Sequence, residues 1–462
     1  MNRRPWVLTG ILLGAAANTM MQTVVATILP QVVEQLGDSH LFGWVFSGYL
    51  LMSTITIPLF AKLADLYGYR RFYILGMALF LIGSLLCGLA PSLPFLVLAR
   101  LIQGVGAGVL GPVSIALISV LFPGDVRGKV LSAFAAVQML SNLLGPVAGG
   151  FVTASFGWSF AFYMVLPLGI LSLFSVWFSR FREERPDPPE LKNLDFLGAL
   201  LLGTATALFI QTWTLFEKSG WTLYTACLLI GSLLFLIAWI AQERKHPDPI
   251  ISPRMMKIRN VTLANMSAFL TGVLMYGAIA VFPLYALAVT DGGAVSSARF
   301  LLPLTLGLST GILLSGRMIH RVSYKALARA GWLVAAVSFA AVCFVSFSAL
   351  PWVLLLFFAF FAGMGVGILV PAFLLPAQNA VSEDQQATVG GMIQLSRNVG
   401  GAIGIPLITS MLGISSGWGR SSSYGAVFLV LVILSFLGFL VGSRFEGAAA
   451  ADTINESKGQ SR

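Results

Sequence analysis

Three short segments hold residues whose types and spacing could do chemistry. The first reads Ala61-Lys62-Leu63-Ala64-Asp65-Leu66-Tyr67-Gly68-Tyr69-Arg70-Arg71, an acid, a glycine and a basic pair between two apolar runs. Glycine permits a tight turn, and Asp65 suits either a helix N-terminus or an arginine partner. The set fits a charge-relay latch at a membrane edge; an ordinary anchored loop has the same composition. The second segment, Arg100-Leu101-Ile102-Gln103-Gly104-Val105-Gly106-Ala107-Gly108, puts an arginine inside an apolar run. A cation there costs about 2.5–3.5 kcal/mol on insertion scales, so Arg100 must be paired, face water or snorkel. Gly104 and Gly108 share a face and admit a close neighbour. The third, Asn142-Leu143-Leu144-Gly145-Pro146-Val147-Ala148-Gly149-Gly150, combines a proline that frees a backbone carbonyl with glycines that let a helix approach. It is a candidate hinge.

The elements that position these residues follow from composition. Hydrophobic residues make up 57% of the 462 positions and charged residues only 10%, where a soluble domain has roughly a quarter charged. The solvent of such a chain is largely lipid. A spanning helix needs about 20 mostly apolar residues, whereas a lipid-facing barrel shows short alternating segments. The apolar runs here are long and continuous, which predicts an all-α membrane protein. They fall at about 6–29, 42–61, 72–90, 94–121, 130–153 and 158–179, then 196–215 and 221–241, then 261–289, 300–316, 326–346, 352–380, 388–414 and 422–443. That is six, then two, then six, fourteen spans in all. Met1-Asn2-Arg3-Arg4 before the first run has the charge of a secretory leader, but the run continues to Leu29 and is expected to stay as the first helix.

Basic residues check the count. Arg3, Arg4, Lys62, Arg70, Arg71, Arg127, Lys129, Arg180, Arg182, Arg185, Lys192, Arg244, Lys245, Arg254, Lys257, Arg259, Arg317, Arg321, Lys325 and Arg329 fall at the terminus or in even-numbered gaps. Odd-numbered gaps hold only Lys218, Arg299 and Arg420. The positive-inside rule then puts both termini in the cytoplasm of a multi-pass cell-membrane protein with an even number of spans. The net charge of +10 is read as this orientation signal and not as a nucleic-acid patch. The expected organisation is a six-helix bundle over 1–180, cytoplasmic linkers with two inserted helices over 181–258, a second six-helix bundle over 259–446, and a disordered cytoplasmic tail over 447–462. Cys87, Cys227 and Cys343 lie in apolar runs without C-x-x-C spacing, and the histidines are scattered, so no disulfide, metal or other cofactor is expected. No G-x-x-x-x-G-K-[ST] phosphate loop is present either.

Taken in order, the three segments resemble motifs of the major facilitator superfamily: Asp65, Gly68 and Arg70 its motif A, Arg100, Gln103 and Gly104 its motif B, and Gly145, Pro146, Gly149 and Gly150 its motif C. With two extra spans between six-helix bundles, the chain resembles the fourteen-span drug:proton antiporters, the group containing multidrug efflux pumps. Thr23 to Pro30 and Arg397-Asn398-Val399-Gly400-Gly401 add to the likeness. The resemblance implies two bundles rocking about a central cavity, with repeats inside each, and secondary active export of hydrophobic or amphiphilic small molecules by alternating access, coupled to protons, by a monomer. The other readings are a dedicated exporter of one metabolite, lipid or antibiotic, and a non-transporting membrane receptor. An enzyme is not expected, because no His/Asp/Ser cluster has catalytic spacing.

One departure bears on coupling. The family's first span commonly carries an acid in an L-D-x-T-[IV] run; here Met20-Met21-Gln22-Thr23-Val24 puts Met21 in its place. Buried membrane carboxylates are the usual proton carriers, because burial raises their pKa toward neutrality. Coupling then falls to Glu34 or Asp38 beyond the first span, or to Asp65 with Arg100. A neutral or anionic amphiphile fits better than a strong cation. Polar or aromatic residues on otherwise apolar spans are the candidates for substrate binding: Asn18, Met21 with Gln22, Tyr49, Gln138, Asn142, Asn265, Tyr276, Gln394 and Asn398. Bland interhelical hydrogen bonding, worth about 0.6 kcal/mol on average, accounts for such residues equally well. Trp213, Trp221, Phe282 and Tyr285 are read as packing or interface residues.

Overall fold

A computed structural model describes residues 4–37, 39–122, 125–179, 195–247, 249–290, 293–319, 321–347, 353–382, 385–414 and 420–445. The expected Asp38, most of the 181–258 linker before Asp195, and the 447–462 tail lie outside them. Among the described residues the apolar runs become fourteen helices of span length. They are α1 (Arg4–Leu36), α2 (Phe42–Tyr67), α3 (Tyr69–Gly88), α4 (Leu93–Leu121), α5 (Asp125–Phe156), α6 (Trp158–Phe178), α7 (Phe196–Ser219) and α8 (Leu223–Lys245). Then follow α9 (Arg259–Val289), α10 (Gly293–Met318), α11 (Tyr324–Phe347), α12 (Val353–Gln378), α13 (Gln386–Ile414) and α14 (Arg420–Gly442). The protein is an all-α membrane protein. Thirteen of these helices are apolar enough to cross a bilayer by composition; α13, with Gln394, Arg397 and Asn398 near its middle, is the polar one.

Helix ends extend past the apolar runs where polar residues still suit a helix. The run predicted from about residue 130 starts as a helix at Asp125. Local chemistry sets the turns. Gly68 has φ 104° and joins α2 to α3 as a single residue, its N–H donating to the Ala64 carbonyl at 2.8 Å. Asp195 caps α7 by accepting from the Gly198 N–H at 2.7 Å. Gly220 (φ 66°) ends α7, and a capping box starts α8: the Thr225 N–H donates to Thr222 Oγ1 at 3.2 Å, and the Thr222 N–H to Thr225 Oγ1 at 2.8 Å.

The chain divides into two compact units, one from Met1–Ile250 with Gly292–Ala298, the other from Ile251–Asp291 with Arg299–Arg462. In the first, α4 is wedged between α2 and α3, and its glycines explain how. A Cβ on Gly104 would come within 2.6 Å of the Tyr49 carbonyl oxygen on α2, and one on Gly106 within 2.6 Å of the Gly76 carbonyl on α3. In the second unit α12 repeats the G-x-G-x-G pattern as Gly363, Gly365 and Gly367. Gly363 and Gly367 meet the Leu304 and Leu308 carbonyls of α10, while Gly365 meets Gly331 and Ala335 of α11. The fifth helices match too: α5 brings Gly145 and Gly149 against Thr23 and Val24 of α1, and α13 brings Gly400 and Gly404 against Phe269 and Val273 of α9. Each unit thus carries the same glycine scheme, the signature of an internal repeat.

The inserted pair belongs to the first unit. Its α7 docks on α2 through the Trp44 Nε1–H donating to Gln211 Oε1 at 3.0 Å and through Gly203 against Ile55. Beyond it α8 packs on α7 and leaves Leu223, Tyr224, Ile230, Leu234 and Ile237 exposed. Large exposed apolar faces of this kind on α5, α8, α11 and α14 suit hydrocarbon as solvent.

Candidate functional site

In the first unit, the α4 segment predicted to hold a costly cation holds it fully buried: Arg100 is 0% exposed. Its Nε donates to the Val45 carbonyl at 3.1 Å and its Nη1 to Gln103 Oε1 at 2.5 Å. Gln103 passes the chain on, Nε2 donating to Ser84 Oγ of α3 at 2.7 Å. The guanidinium lies 4.0 Å from the Tyr49 ring centroid, and the Tyr49 hydroxyl donates to Asn18 Oδ1 of α1 at 2.9 Å. Four helices therefore converge on one cation whose partners are all neutral. Arg100 Nη2 is buried without a hydrogen-bond partner among the described residues. Such a group can hold an anion or release one without itself changing charge, because arginine stays protonated.

The other candidates of this unit are spread around that centre. Met21 is fully buried on α1; Gln22, Gln138 and Asn142 are half-buried. Gly145, Pro146, Gly149 and Gly150 are buried in α5, the first and third forming its contact with α1. Glu34, in the last turn of α1, is exposed, as is Asp65 in the last turn of α2. Arg70 turns to the end of α6, its Nε donating to the Val176 carbonyl at 3.2 Å and its Nη2 to the Trp177 carbonyl. A cation at a helix C-terminus meets carbonyls that have no partner within the helix, so the motif ties α3 to α6.

In the second unit a polar set joins α9 and α13. Ser396 Oγ donates to Asn265 Oδ1 at 2.7 Å, and Asn265 Nδ2 donates to the Val261 carbonyl at 2.9 Å. Gln394 Nε2 donates to Asn398 Oδ1 at 2.9 Å. Tyr276 is buried against Gly401, and Gly272 against the Arg397 backbone. Ser84, Ser396 and Arg397 are participants that the selection of polar candidates from the sequence passes over. For Arg397 a signal existed, since it is the single charged residue in the 29 residues of α13.

The family model described as Major Facilitator Superfamily matches residues 11–405. The chain belongs to the major facilitator superfamily. It is a multi-pass membrane transporter of small molecules and not an enzyme. Among curated proteins it is similar to the Multidrug transporter protein MdtP of Bacillus subtilis (strain 168), 27% identical over 90% of this chain and 76% of that protein. It is also similar to Multidrug resistance protein 3 of the same organism, 35% identical over 70% of this chain; the match spans 63% of that relative's length. Among solved structures, an autoinhibited peptide transporter of the POT family shares the fold, with TM-score 0.70 and 14% identity over 97% of this chain and 98% of that one. The fold of this chain is the major facilitator fold, with two helices inserted after the sixth.

Proposed function

We propose that this transporter exports hydrophobic or amphiphilic small molecules, drugs among them, by alternating access coupled to protons. The observation that carries the reading is the likeness, over 90% of the chain, to a protein named as a multidrug transporter. The buried Arg100 network and the scarcity of charge elsewhere in the spans support it, because a path lined mainly by apolar and neutral polar groups suits amphiphiles. We place the protein in the cell membrane with both termini cytoplasmic, on the Lys and Arg asymmetry of the gaps. It works as a monomer with two six-helix bundles and an inserted pair. Proton occupancy changes at Glu34, Asp38 or Asp65, and the three motif segments transmit the change through Arg100, Gln103 and the α1–α5 glycine contact. Asn18, Gln22, Tyr49, Gln138, Asn142, Asn265, Tyr276, Gln394 and Asn398 supply the polar contacts to substrate.

The test is uptake of neutral, anionic and cationic fluorescent amphiphiles into inside-out vesicles, with and without a proton gradient, for the native protein and Met21→Asp. Gradient-dependent uptake by native vesicles is expected, with the neutral and anionic dyes preferred. Gradient response only after Met21→Asp would overturn proton coupling in the native protein.

A further inference from the structure

Every Asp and Glu in the fourteen helices stands in a terminal turn: Glu34 in α1, Asp65 in α2, Asp125 in α5, Glu217 in α7 and Glu243 in α8. The second unit has none at all in its helices; its acids are Asp291, Glu383, Asp384, Glu446, Asp452 and Glu456, all between or beyond them. Yet α13 carries Arg397 about 16 Å from its first residue at 1.5 Å per residue, close to the middle of a hydrocarbon core about 30 Å thick. The Arg397 Nε is buried and has no hydrogen-bond partner among the described residues. The helix that faces it, α9, packs Gly272 on the Arg397 backbone and Tyr276 on Gly401, and carries no acid.

Repeat symmetry sharpens the point. Arg397 precedes Gly400 by three residues, as Asn142 precedes Gly145 in α5. In α12 the place of Arg100, four residues before the first glycine of G-x-G-x-G, is taken by the buried Ala359. Arg100 and Arg397 thus stand on different helices of the two repeats, so the repeat scaffold does not require a cation at either place. Arg100 spends Nε and Nη1 on Val45 and Gln103 and lies over the Tyr49 ring, leaving only Nη2 unpartnered; among the described residues no such set of hydrogen bonds engages the Arg397 side chain.

The helix face leading to Arg397 is open and polar. Thr388, Gly391 and Gln394 are exposed at i, i+3 and i+6, and Arg397 follows at the next step. Among the described side chains of α13 none is a large exposed apolar residue, whereas α11 exposes Leu333, Val337 and Phe344, and α14 exposes Leu429, Ile433 and Phe436. A stripe that lipid solvates is apolar; this one suits water or solute.

We propose that Arg397, reached along the Thr388–Gly391–Gln394 face, binds the anionic group of the transported molecule, so that the substrate class is hydrophobic molecules bearing one carboxylate or similar anion. Gln394 and Asn398, already bonded to each other, flank it with further polar atoms. The charge that the protein leaves without an acid is neutralised by the cargo, and a guanidinium suits a carboxylate through paired N–H donors. This assignment rests on the export reading for its cargo, but binding and transport separate the two.

The experiment measures energy transfer from tryptophan to pyrenebutyrate and to its neutral methyl ester, using the purified full-length protein with empty micelles subtracted. The native protein is expected to bind the carboxylate more tightly than the ester. Arg397→Gln is expected to weaken the carboxylate about 10- to 100-fold, the range of a lost charge-assisted hydrogen bond, and leave the ester within about twofold. Equal binding of the two ligands by the native protein, or unchanged carboxylate binding by Arg397→Gln, would overturn the assignment. Should Arg397→Gln not stay monodisperse, Arg397→Lys is read instead, since it keeps the charge and loses the planar fork. Carboxylate binding at least about threefold weaker with the ester unchanged supports the proposal, and native-like binding of both ligands overturns it. Displacement of pyrenebutyrate by phosphatidylglycerol identifies a lipid headgroup as the source of the anion, resistance identifies a soluble amphiphile, and both support anion recognition. If binding follows the expected pattern while native vesicles accumulate neither dye, the export reading falls and the Arg397 site stands.

Discussion

The guanidinium of Arg100 sits 4.0 Å from the centroid of the Tyr49 ring, and Tyr49 is tied through its hydroxyl to Asn18. One residue thus does two separable jobs, its face stabilising a buried cation and its oxygen linking α2 to α1. A desolvated cation–π contact is worth about 2 kcal/mol, while an interhelical hydrogen bond in a membrane protein averages about 0.6 kcal/mol. Tyr49→Phe is therefore expected to lower thermal stability slightly and Tyr49→Leu distinctly more, by unfolding monitored in detergent. Equal losses would mean that the ring face contributes nothing to holding Arg100.

The glycine wedge gives a second expectation. Gly104 and Gly363 face the carbonyls of Tyr49 and Leu304, backbone atoms that cannot swing aside, whereas Gly111, on the same helix as Gly104, has no atom within 4 Å of an added Cβ. Gly104→Val and Gly363→Val should each abolish monodisperse protein, since overpacking typically costs about 1–3 kcal/mol and forces backbone shifts. Gly111→Ala should leave yield and melting temperature unchanged or slightly higher, alanine being the better helix former. Tolerance of valine at Gly104 or Gly363 would show that α4 or α12 does not pack as described.

Much of this was legible before any coordinates. Long apolar runs report helices because lipid leaves the backbone no other way to satisfy itself, so the six-two-six count and the G-x-G-x-G of α4 follow from the string, as does an arginine inside an apolar run at position 100, whose burial only the packing decides. Partners were less legible. Nothing in the spacing of Asp65 and Arg70 says that Arg70 reaches carbonyls at the end of α6, more than a hundred residues later, and nothing local points to Ser84 as the end of the Arg100–Gln103 chain. Such contacts depend on which helices pack, which periodicity does not encode. Arg397 was visible as a charge in an apolar run but not as an unpaired one, because that requires knowing what surrounds it.

The α2–α3 turn separates backbone strain from ion chemistry within one motif. Gly68 holds φ 104° and ψ 130°, a sparsely populated conformation that costs a residue with a Cβ about 1–3 kcal/mol. Gly68→Ala is expected to lower the melting temperature by that order without touching any charge. Arg70→Gln should also destabilise, by loss of charge-assisted bonds to the Val176 and Trp177 carbonyls, and Arg70→Lys should recover part of the loss. If Gly68→Ala were silent in stability and only transport fell, the turn would be acting in the cycle and not in the fold.

The inserted pair offers the last test, because its start depends on one buried carboxylate. Asp195 is 3% exposed, accepts from the Gly198 N–H at 2.7 Å, and also accepts from Gln242 Nε2 of α8 at 3.2 Å. It therefore caps α7 and fastens the far end of α8 to it. Losing an N-cap costs about 0.5–2 kcal/mol, and here the second bond goes with it. Asp195→Ala should loosen the pair, raising proteolysis and hydrogen exchange at the α7 N-terminus and the α8 C-terminus while the α4 core stays protected. Asp195→Asn keeps an acceptor oxygen for the cap and should fall between the two. Uniform loss of protection through both units would mean that the inserted helices are required for the fold itself; loss confined to them would mark the pair as an attachment whose removal leaves the transporter standing.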